Sequence, residues 1–381
     1  MQAKQITIIG SNFAALAAIN RLRNLDAGRH IEITVISPKA EFFYHPSLIW
    51  IPSGKRQGDD LKCDLKPYFA RMGVNHHPGL ATGVEDDGRT VLTNIGKVKN
   101  DGLLIASGAT YLQKAPGFEN VINPCSGLGA AENFRTRLSN MRSGGTIAFG
   151  FASNPQEPTA LRGGPMFEFL FGTHTYLKKQ GIRNKFKLAF FAPMPKPGQR
   201  LGPKAVKGLL GAMAKRDIST HLGKKISGFS QDGVMLEGDK LNSDLTIFIP
   251  GMTGPKWLAN TGLTLSSGGF LQANAQCKVT GSNMVYAAGD VGSFPGPDWR
   301  AKQGHMAELQ ARCAANNLYA ELMGNTPDST FRNELICIVD TLDSGMLVSR
   351  FNSFNIILPP TRLMHFTKQL LEYKSFFPYR R

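Results

Sequence analysis

Cysteine is scarce in this chain, since only five of its 381 residues are cysteines. They stand far apart, at Cys63, Cys125, Cys277, Cys313 and Cys337. Small secreted domains that depend on disulfides carry cysteines at higher density, and zinc sites combine CxxC spacing with nearby histidines. The sequence has neither pattern, which argues against a disulfide framework and against a structural zinc site.

Long apolar runs are also missing. No uninterrupted apolar stretch approaches the roughly 18 residues that a spanning helix needs, so no transmembrane helix is predicted. The first residues, Met1–Gln5, lead straight into the strand-like run Ile6–Ile9, without the apolar region and cleavage site of a signal peptide. These absences predict a cytoplasmic chain whose membrane contact is peripheral.

Acidic residues are outnumbered, because 28 Asp and Glu stand against 44 Lys and Arg, for a net charge of +16. This balance favours an anionic partner, either nucleic acid or a membrane surface, and charge alone does not separate the two. Hydrophobic residues make up 42% of the chain, which is typical of folded domains. The length suits two or three of them.

The N-terminal segment has the pattern of a βαβ unit. The apolar strand Ile6–Ile9 precedes a turn, a helical pattern over 16–25 and a second strand over 31–36. Later apolar runs alternate with helical patterns, which predicts an α/β fold with parallel sheets. These runs are Gly102–Ala106, Thr146–Phe149, Lys187–Phe191, Leu245–Ile249 and Met284–Ala287.

The turn after the first strand is where a dinucleotide-binding fold holds a pyrophosphate. That fold uses three glycines there, but only Gly10 is glycine, with Asn12 and Ala15 at the other two places. Asparagine tolerates left-handed backbone and alanine is small, so the turn keeps the required geometry. Ser37 ends the second strand, where an acidic residue usually binds the ribose. Alone, the turn predicts nucleotide binding no better than an ordinary βα turn.

Two later segments resemble parts of flavin-binding domains. Asp101–Ala109 is a strand with a small turn, and Met284–Asp290 is a strand that ends in Gly-Asp, whose aspartate meets the ribityl chain of the flavin in that class. With the first turn, they resemble flavoproteins with two dinucleotide-binding domains, which implies FAD as the cofactor. The residues implied to contact it here are Ser107, Gly108, Gly289 and Asp290.

Six further motifs, in order along the chain, make the resemblance more specific. They are Pro46–Trp50, Gly164–Phe169, Phe248–Gly254, Gly268–Phe270, Lys302–Glu308 and Cys337–Asp340. As a set they resemble sulfide:quinone oxidoreductases and the flavoprotein of flavocytochrome c sulfide dehydrogenase, over nearly the whole chain. The resemblance implies two Rossmann-like domains and a small amphipathic C-terminal region. We expect the FAD-binding domain over 1–109 and 243–325, the second nucleotide-binding-like domain over 110–242, and the quinone and membrane region over 326–381.

The second domain lacks the turn that a bound NADH would need. After the strand Thr146–Phe149, the chain runs through Gly150–Pro158, a polar loop with two prolines, instead of a glycine-rich turn. Such a loop does not place a helix N-terminus against a pyrophosphate. Bound NADH is therefore disfavoured, and the domain is predicted to serve as scaffold.

Two cysteines match functional positions of the resembling family. Cys337 matches one member of the redox-active pair beside the flavin, and Cys125 matches a further cysteine of many sulfide:quinone enzymes. Cys125 precedes a helical run, and a helix N-terminus favours the thiolate. The other pair member is expected where this chain has Arg162. Whether Cys125 and Cys337 form the working pair stays open, and a buried structural thiol is the alternative for each.

Two charged side chains also match family positions. Lys302 precedes the helix that would face the flavin pyrimidine, where a cation stabilises anionic reduced flavin. Glu168 resembles a family acid suited to proton transfer, and His305 is placed to face the same pocket. The alternatives are a solvated loop lysine for Lys302, a surface or capping carboxylate for Glu168, and a packed histidine for His305.

The C-terminal segment predicts an amphipathic helix. Its apolar residues recur at helical spacing, with Arg362, His365, Lys368 and Lys374 on other faces. We expect this stripe to lie on an anionic membrane surface, because quinone is confined to the bilayer. The alternative is a helix docked on the core of the protein. The stripe consists of Leu363, Phe366, Leu370, Tyr373 and Phe377.

The sequence therefore predicts an FAD-dependent oxidoreductase, similar to sulfide:quinone oxidoreductases, that passes electrons from sulfide through a cysteine and FAD to membrane quinone. A membrane surface, not nucleic acid, is the expected anionic partner, and a homo-oligomer is one alternative for the assembly. Because Arg162 replaces a cysteine, two other functions stay open. One is a flavin-dependent quinone reductase with another electron donor, and the other is a flavin-binding membrane protein with impaired catalysis.

Overall fold

The apolar runs of the sequence form buried strands, and the segments between them form helices. The computed structural model describes residues 3–380. Its helices are α1 (Phe13–Leu25), α2 (Lys66–Met72), α3 (Leu128–Asn140), α4 (Gly164–Lys179), α5 (Pro203–Ala214), α6 (Gly304–Leu322) and α7 (Arg362–Phe376). Its strands are β1 (Lys4–Ile9), β2 (Ile31–Ile36), β3 (Glu41–Phe43), β4 (Lys62–Asp64), β5 (Val74–His77), β6 (Ala81–Glu85), β7 (Thr90–Thr93), β8 (Gly96–Lys99), β9 (Gly102–Ile105), β10 (Thr110–Tyr111), β11 (Gly145–Phe151), β12 (Phe186–Ala192), β13 (Ile218–Leu222), β14 (Ile226–Ser230), β15 (Gly233–Leu236), β16 (Asp239–Asn242), β17 (Leu245–Ile249), β18 (Met252–Thr253), β19 (Leu271–Gln272), β20 (Val285–Ala287), β21 (Gly292–Ser293), β22 (Leu335–Asp340), β23 (Gly345–Arg350) and β24 (Asn355–Thr361).

The first sheet is parallel and has the strand order β20-β9-β1-β2-β5. Its central strands are buried on both faces, which explains why they read as continuous apolar runs without alternation. Helices α1 and α6 pack against each other. The predicted βαβ unit is confirmed, and β20 returns to this sheet from far along the chain.

The second sheet is also parallel and has the order β13-β12-β11-β17. Strand β17 pairs with β11, Ile147 opposite Leu245. The expected domain boundary at residue 243 is therefore wrong by one strand, because β17 completes the second sheet. The predicted α/β fold with two parallel sheets is confirmed.

The C-terminal region joins these units through an antiparallel sheet. Its order is β22-β23-β24, and α7 packs on β22 and β23 while α4 packs on β22. This arrangement brings the start of α4, the middle of β22 and the inner face of α7 together. Arg381, the last residue of the predicted amphipathic segment, lies outside the described residues.

Candidate active site

A cavity of about 2890 Å³ lies between the two parallel sheets and the C-terminal sheet. The carboxyl ends of strands from both sheets reach it, through Ile9, Ile36 and Ala106 of the first and Phe151 of the second. Ligands of open α/β sheets bind at this end of the strands. Both Cys125 and Cys337 line the same cavity.

The turn after β1 is built around Gly10, which has φ +118°. A Cβ there would stand 2.4 Å from the carbonyl oxygen of Ala106, so only glycine fits. Asn12 caps α1, since its side chain accepts a hydrogen bond from the Phe13 amide. Its φ is −112°, so the backbone at Asn12 is extended, the tolerance of asparagine for left-handed backbone is not used, and capping explains the residue. Ala15 is fully buried in the core of the first sheet and does not line the cavity.

Three further predicted residues line the cavity near this turn: Ser37, Ser107 and Gly108. Gly108 has φ +73°. The hydroxyl of Ser37 donates to the carbonyl of Lys39 over 2.8 Å. The Oγ atom of Ser107 is buried and has no hydrogen-bond partner among residues 3–380.

The Gly-Asp segment after β20 faces the same cavity. Gly289 has φ +78°, and a Cβ there would lie 3.2 Å from the Cβ atoms of Ala14 and Ala307, where α1 meets α6. Its amide donates to the Gln310 side chain over 3.0 Å. Asp290 forms an ion pair with Arg162.

Lys302 is held against the same segment. Its ammonium group donates to the carbonyls of Asp290 and Gly292, over 2.8 and 2.7 Å, and lies 3.9 Å from the Phe270 ring centroid. Burial lowers the pKa of Lys302 to about 8. Lys302 is therefore tied to the cavity wall, unlike a solvated loop lysine. Nearby, Gln303 has a buried Oε1 atom without a hydrogen-bond partner in the described part of the chain.

Arg162 occupies the place where a cysteine is expected. It pairs with Asp290, and its Nη1 lies 3.3 Å from the hydroxyl of Tyr111. Burial raises the pKa of Cys125 to about 12, and the positive charge of Arg162 offsets only part of this effect. Cys125 lies in a short turn before α3, which begins at Leu128. Burial at this position thus acts against the thiolate that a place before a helix was expected to favour.

Cys337 lies in β22 and is half-buried. Its Sγ atom is 3.8 Å from the point that a Cβ on Gly164, the first residue of α4, would occupy. Burial, followed by the negative charge of Glu168, raises the pKa of Cys337 to about 12. All five cysteines are free thiols, and pairing of Cys125 with Cys337 stays a prediction.

Glu168 is buried and points from α4 toward α7. It forms an ion pair with Lys368 and accepts a 2.9 Å hydrogen bond from the backbone amide of Asp340. Burial raises the pKa of Glu168 to about 6, although Lys368 acts in the opposite direction. The alternative of a surface carboxylate is wrong, because Glu168 is only 5% exposed.

His305 lies at the start of α6 and lines the cavity. Its Nε2 lies 2.8 Å from the carboxylate of Glu334. It therefore faces the pocket and is also paired with a carboxylate.

Comparison with known proteins agrees with this geometry. Residues 4–311 match the pyridine nucleotide-disulphide oxidoreductase family. The chain belongs to that family. A sulfide-quinone reductase of Aquifex aeolicus (strain VF5) is 26% identical over 356 residues, covering 89% of this chain and 81% of the relative. The mitochondrial sulfide:quinone oxidoreductase of Dictyostelium discoideum is 21% identical over 363 residues, covering 91% and 77%.

Solved structures give the same fold for this oxidoreductase. The sulfide:quinone oxidoreductase of Aquifex aeolicus superposes with a TM-score of 0.90 at 23% identity, over 99% of this chain and 92% of the other. The NDH2 of Plasmodium falciparum superposes with a TM-score of 0.78 at 11% identity, over 99% and 96%. The chain is an FAD-dependent oxidoreductase similar to sulfide:quinone reductases.

The cavity fits FAD. Ser107 and Gln303 each bring a buried polar atom that lacks a hydrogen-bond partner within residues 3–380, as expected where a polar cofactor completes the site. The turn that opens α1 lines the cavity from Gly10 to Ala14, which is where this fold places a pyrophosphate.

Sequence reasoning missed a buried polar group behind Cys337. Asp340 accepts a hydrogen bond from the Trp50 indole over 3.0 Å and lies 2.5 Å from Nδ1 of His365, whose other nitrogen contacts Lys55. These residues are distant in sequence, so no local pattern links them. The available signals were the motifs Pro46–Trp50 and Cys337–Asp340, which contain Trp50 and Asp340, and a histidine inside an amphipathic helix.

Helix α7 is two-sided. Its inner face buries His365, Glu372 and Phe376, and Lys368, which was predicted to lie off the apolar stripe, also points inward to Glu168. The predicted apolar stripe faces outward, and Leu363 is 68% exposed. The helix is therefore docked on the protein and still presents an apolar surface. Within the described residues, no helix is long and apolar enough to cross a membrane.

Proposed function

We propose that this oxidoreductase oxidises sulfide at Cys337 and delivers the electrons to a quinone at a membrane surface. The observation that carries the proposal is that Cys337, Cys125 and the Gly10 turn line one cavity. The relatives named as sulfide:quinone reductases, which match across most of the chain, support it.

The cofactor contacts are proposed from the same geometry. Bound FAD would supply a two-electron carrier between sulfide and quinone. The positive charge of Lys302 would stabilise negative charge on the reduced flavin ring. Ala15, which is buried in the core, would act only through packing. The residues proposed to hold FAD are Gly10, Asn12, Ser37, Ser107, Gly108, Gly289, Asp290 and Lys302.

Cys337 and Glu168 are proposed as the sulfur and proton carriers. Loss of two electrons and one proton from HS⁻ leaves zero-valent sulfur, and the quinone takes up two electrons and two protons. Burial keeps the Cys337 thiol protonated, so a base must take its proton before it reacts with sulfur. Glu168 is close enough to raise the pKa of Cys337 and has a pKa of about 6, which suits a carboxylate that accepts this proton.

Cys125 is proposed as a sulfur carrier beside Arg162. A second cysteine at position 162 would complete the pair that the family resemblance implies. Here the guanidinium of Arg162 holds Asp290 instead. Cys125 therefore supplies the second thiol of the cavity.

Peripheral attachment to an anionic membrane surface is proposed for α7. The stripe Leu363–Phe377 turns large apolar side chains outward, where they would enter the interface of a bilayer. The net charge of +16 would add attraction to anionic lipid. We further propose a cytoplasmic location, and an FAD-binding domain formed by 1–109 with a C-terminal part that starts after β17. A homo-oligomer stays an untested prediction.

The test is an anaerobic titration of the holoenzyme with sulfide, followed by addition of a quinone. Sulfide should bleach the flavin within seconds, and quinone should restore the oxidised spectrum. Cys337→Ser should slow bleaching by sulfide by orders of magnitude while reduction by dithionite stays unchanged, because serine keeps the volume but not the thiolate. Equal bleaching by sulfide in Cys337→Ser would contradict the assignment.

A second candidate function is favoured by one observation, the ion pair of Arg162 with Asp290. Without the second cysteine of the family pair, the chain would act as a quinone reductase with another electron donor. Bleaching by NADH but not by sulfide would support that function. A flavin that neither donor reduces would support the impaired flavoprotein.

A further inference from the structure

Three arginines form a cationic cluster in the cavity wall, away from the FAD turn. Arg200 follows β12, Arg300 lies in the loop before α6, and Arg350 ends β23. Among residues 3–380, none of the three forms an ion pair with a carboxylate. Burial lowers the pKa of Arg200 to about 10, and the positive charge of nearby Arg300 lowers it in the same direction.

Backbone carbonyls hold these arginines in place. Arg350 donates to the carbonyl of Arg200 over 2.8 Å and stacks on the Trp299 ring at 5.1 Å, and Arg200 donates to the carbonyl of Thr159. Arg300 donates to two carbonyls of its own loop. A guanidinium has five N–H groups, so each arginine keeps donors beyond those bonds. Clustered, positioned cations without carboxylates are what an anionic ligand needs.

The strand register ties this cluster to Cys337. In the β22–β23 ladder, Cys337 stands opposite Val348, and Leu335 stands opposite Arg350. Residues two apart on one strand share a face, so Cys337 and Arg350 are diagonal neighbours on the same face, about 7–8 Å apart. A ligand with sulfur at one end and an anionic group a few bonds away spans that distance.

We propose that Arg200, Arg300 and Arg350 form a subsite for the carboxylate or sulfonate of a small organic sulfur compound whose sulfur reaches Cys337. Planar guanidinium groups match such oxyanions through paired hydrogen bonds. The subsite rests on the proposed sulfur chemistry, and it extends the substrate class beyond sulfide. It requires no step other than binding.

The test measures binding separately from turnover. Holoenzyme carrying Cys337→Ser is titrated by calorimetry with 3-mercaptopropionate, 2-mercaptoethanesulfonate and the uncharged 2-mercaptoethanol. Both anions should bind about tenfold or more tightly than the uncharged thiol, because charge-assisted hydrogen bonds form only with them. The two anions separate a carboxylate from a sulfonate preference.

Arg300→Gln and, separately, Arg200→Gln should remove that preference and leave FAD content unchanged. The hydrogen bonds of Arg300 go to carbonyls of its own loop, so its replacement should not unfold the protein. The matched control is Arg137→Gln with Arg142→Gln, which removes exposed charge from outside the cavity.

The possible results distinguish the subsite from the proposed function. Equal affinity for charged and uncharged thiols, an unchanged preference in Arg300→Gln, or loss of FAD from that variant would overturn the subsite. If sulfide still bleaches the flavin in those cases, the proposed function stands. If the anion preference is present but sulfide does not reduce the flavin, the subsite stands and the proposed function fails.

Discussion

At the scale of single residues, Gly10 sets the geometry of the turn after β1, which we propose holds FAD. A methyl group there would meet the carbonyl of Ala106 at 2.4 Å, and the backbone has φ +118°. We expect Gly10→Ala to lose stability by about 1–3 kcal/mol and to retain less FAD. Denaturant unfolding and flavin content measure both effects. Gly208→Ala, in α5 with open space around it, is the matched control and should not lower stability.

Glu168 gives a pH prediction at the same scale. A carboxylate accepts a proton only when it is ionised, so the rate of flavin reduction by sulfide should rise with pH through about 6, the pKa of Glu168. Glu168→Gln should remove this rise and keep the hydrogen bond from the Asp340 amide. Stopped-flow reduction between pH 5 and 8 measures it, using dithionite as the reference reductant. A profile that is identical in the variant would exclude Glu168 as the base.

At the scale of helices and strands, the sequence predicts some features of the fold and the candidate site and misses others. Buried parallel strands such as β1 and β9 are recognisable because both faces are apolar. The sequence did not predict the sheet to which β17 belongs. Its pairing with β11 depends on residues about a hundred positions away in the chain. The site divides in the same way: the Gly10 turn follows a local pattern, whereas the inward direction of Lys368 depends on Glu168, two hundred residues earlier.

Helix α7 carries the prediction at this scale. Replacing Leu363, Phe366 and Leu370 with serine removes exposed apolar surface, so binding to anionic liposomes should fall at least about tenfold. Unfolding stability should barely change, because these side chains do not pack in the core. Phe376→Ala is the contrasting variant, since Phe376 is 2% exposed and its truncation should cost about 3–5 kcal/mol. Liposome sedimentation and denaturant unfolding separate the two effects. Unchanged sedimentation of the triple variant would rule out the stripe as the membrane surface.

For the whole molecule, the charge of +16 predicts salt-sensitive membrane binding. Raising ionic strength shortens the screening length, so attraction to anionic vesicles should weaken as salt is added. Binding that remains at high salt should come from the apolar stripe and should be absent in the triple serine variant. Sedimentation with anionic and neutral vesicles across a salt series measures the two contributions. Salt-independent binding to anionic vesicles would show that the charge has no role.

The ion pair between Lys368 and Glu168 makes α7 part of the wall of the candidate active-site cavity as well as the outer surface. Docking of the helix and titration of the carboxylate are therefore thermodynamically linked, and linkage acts equally in both directions. Protonating Glu168 removes its negative charge and so weakens its ion pair with Lys368. By the same linkage, a lipid surface that drew α7 away from the protein would make Glu168 easier to protonate. The membrane attachment proposed for α7 would therefore be coupled to the acidity of the carboxyl group near Cys337.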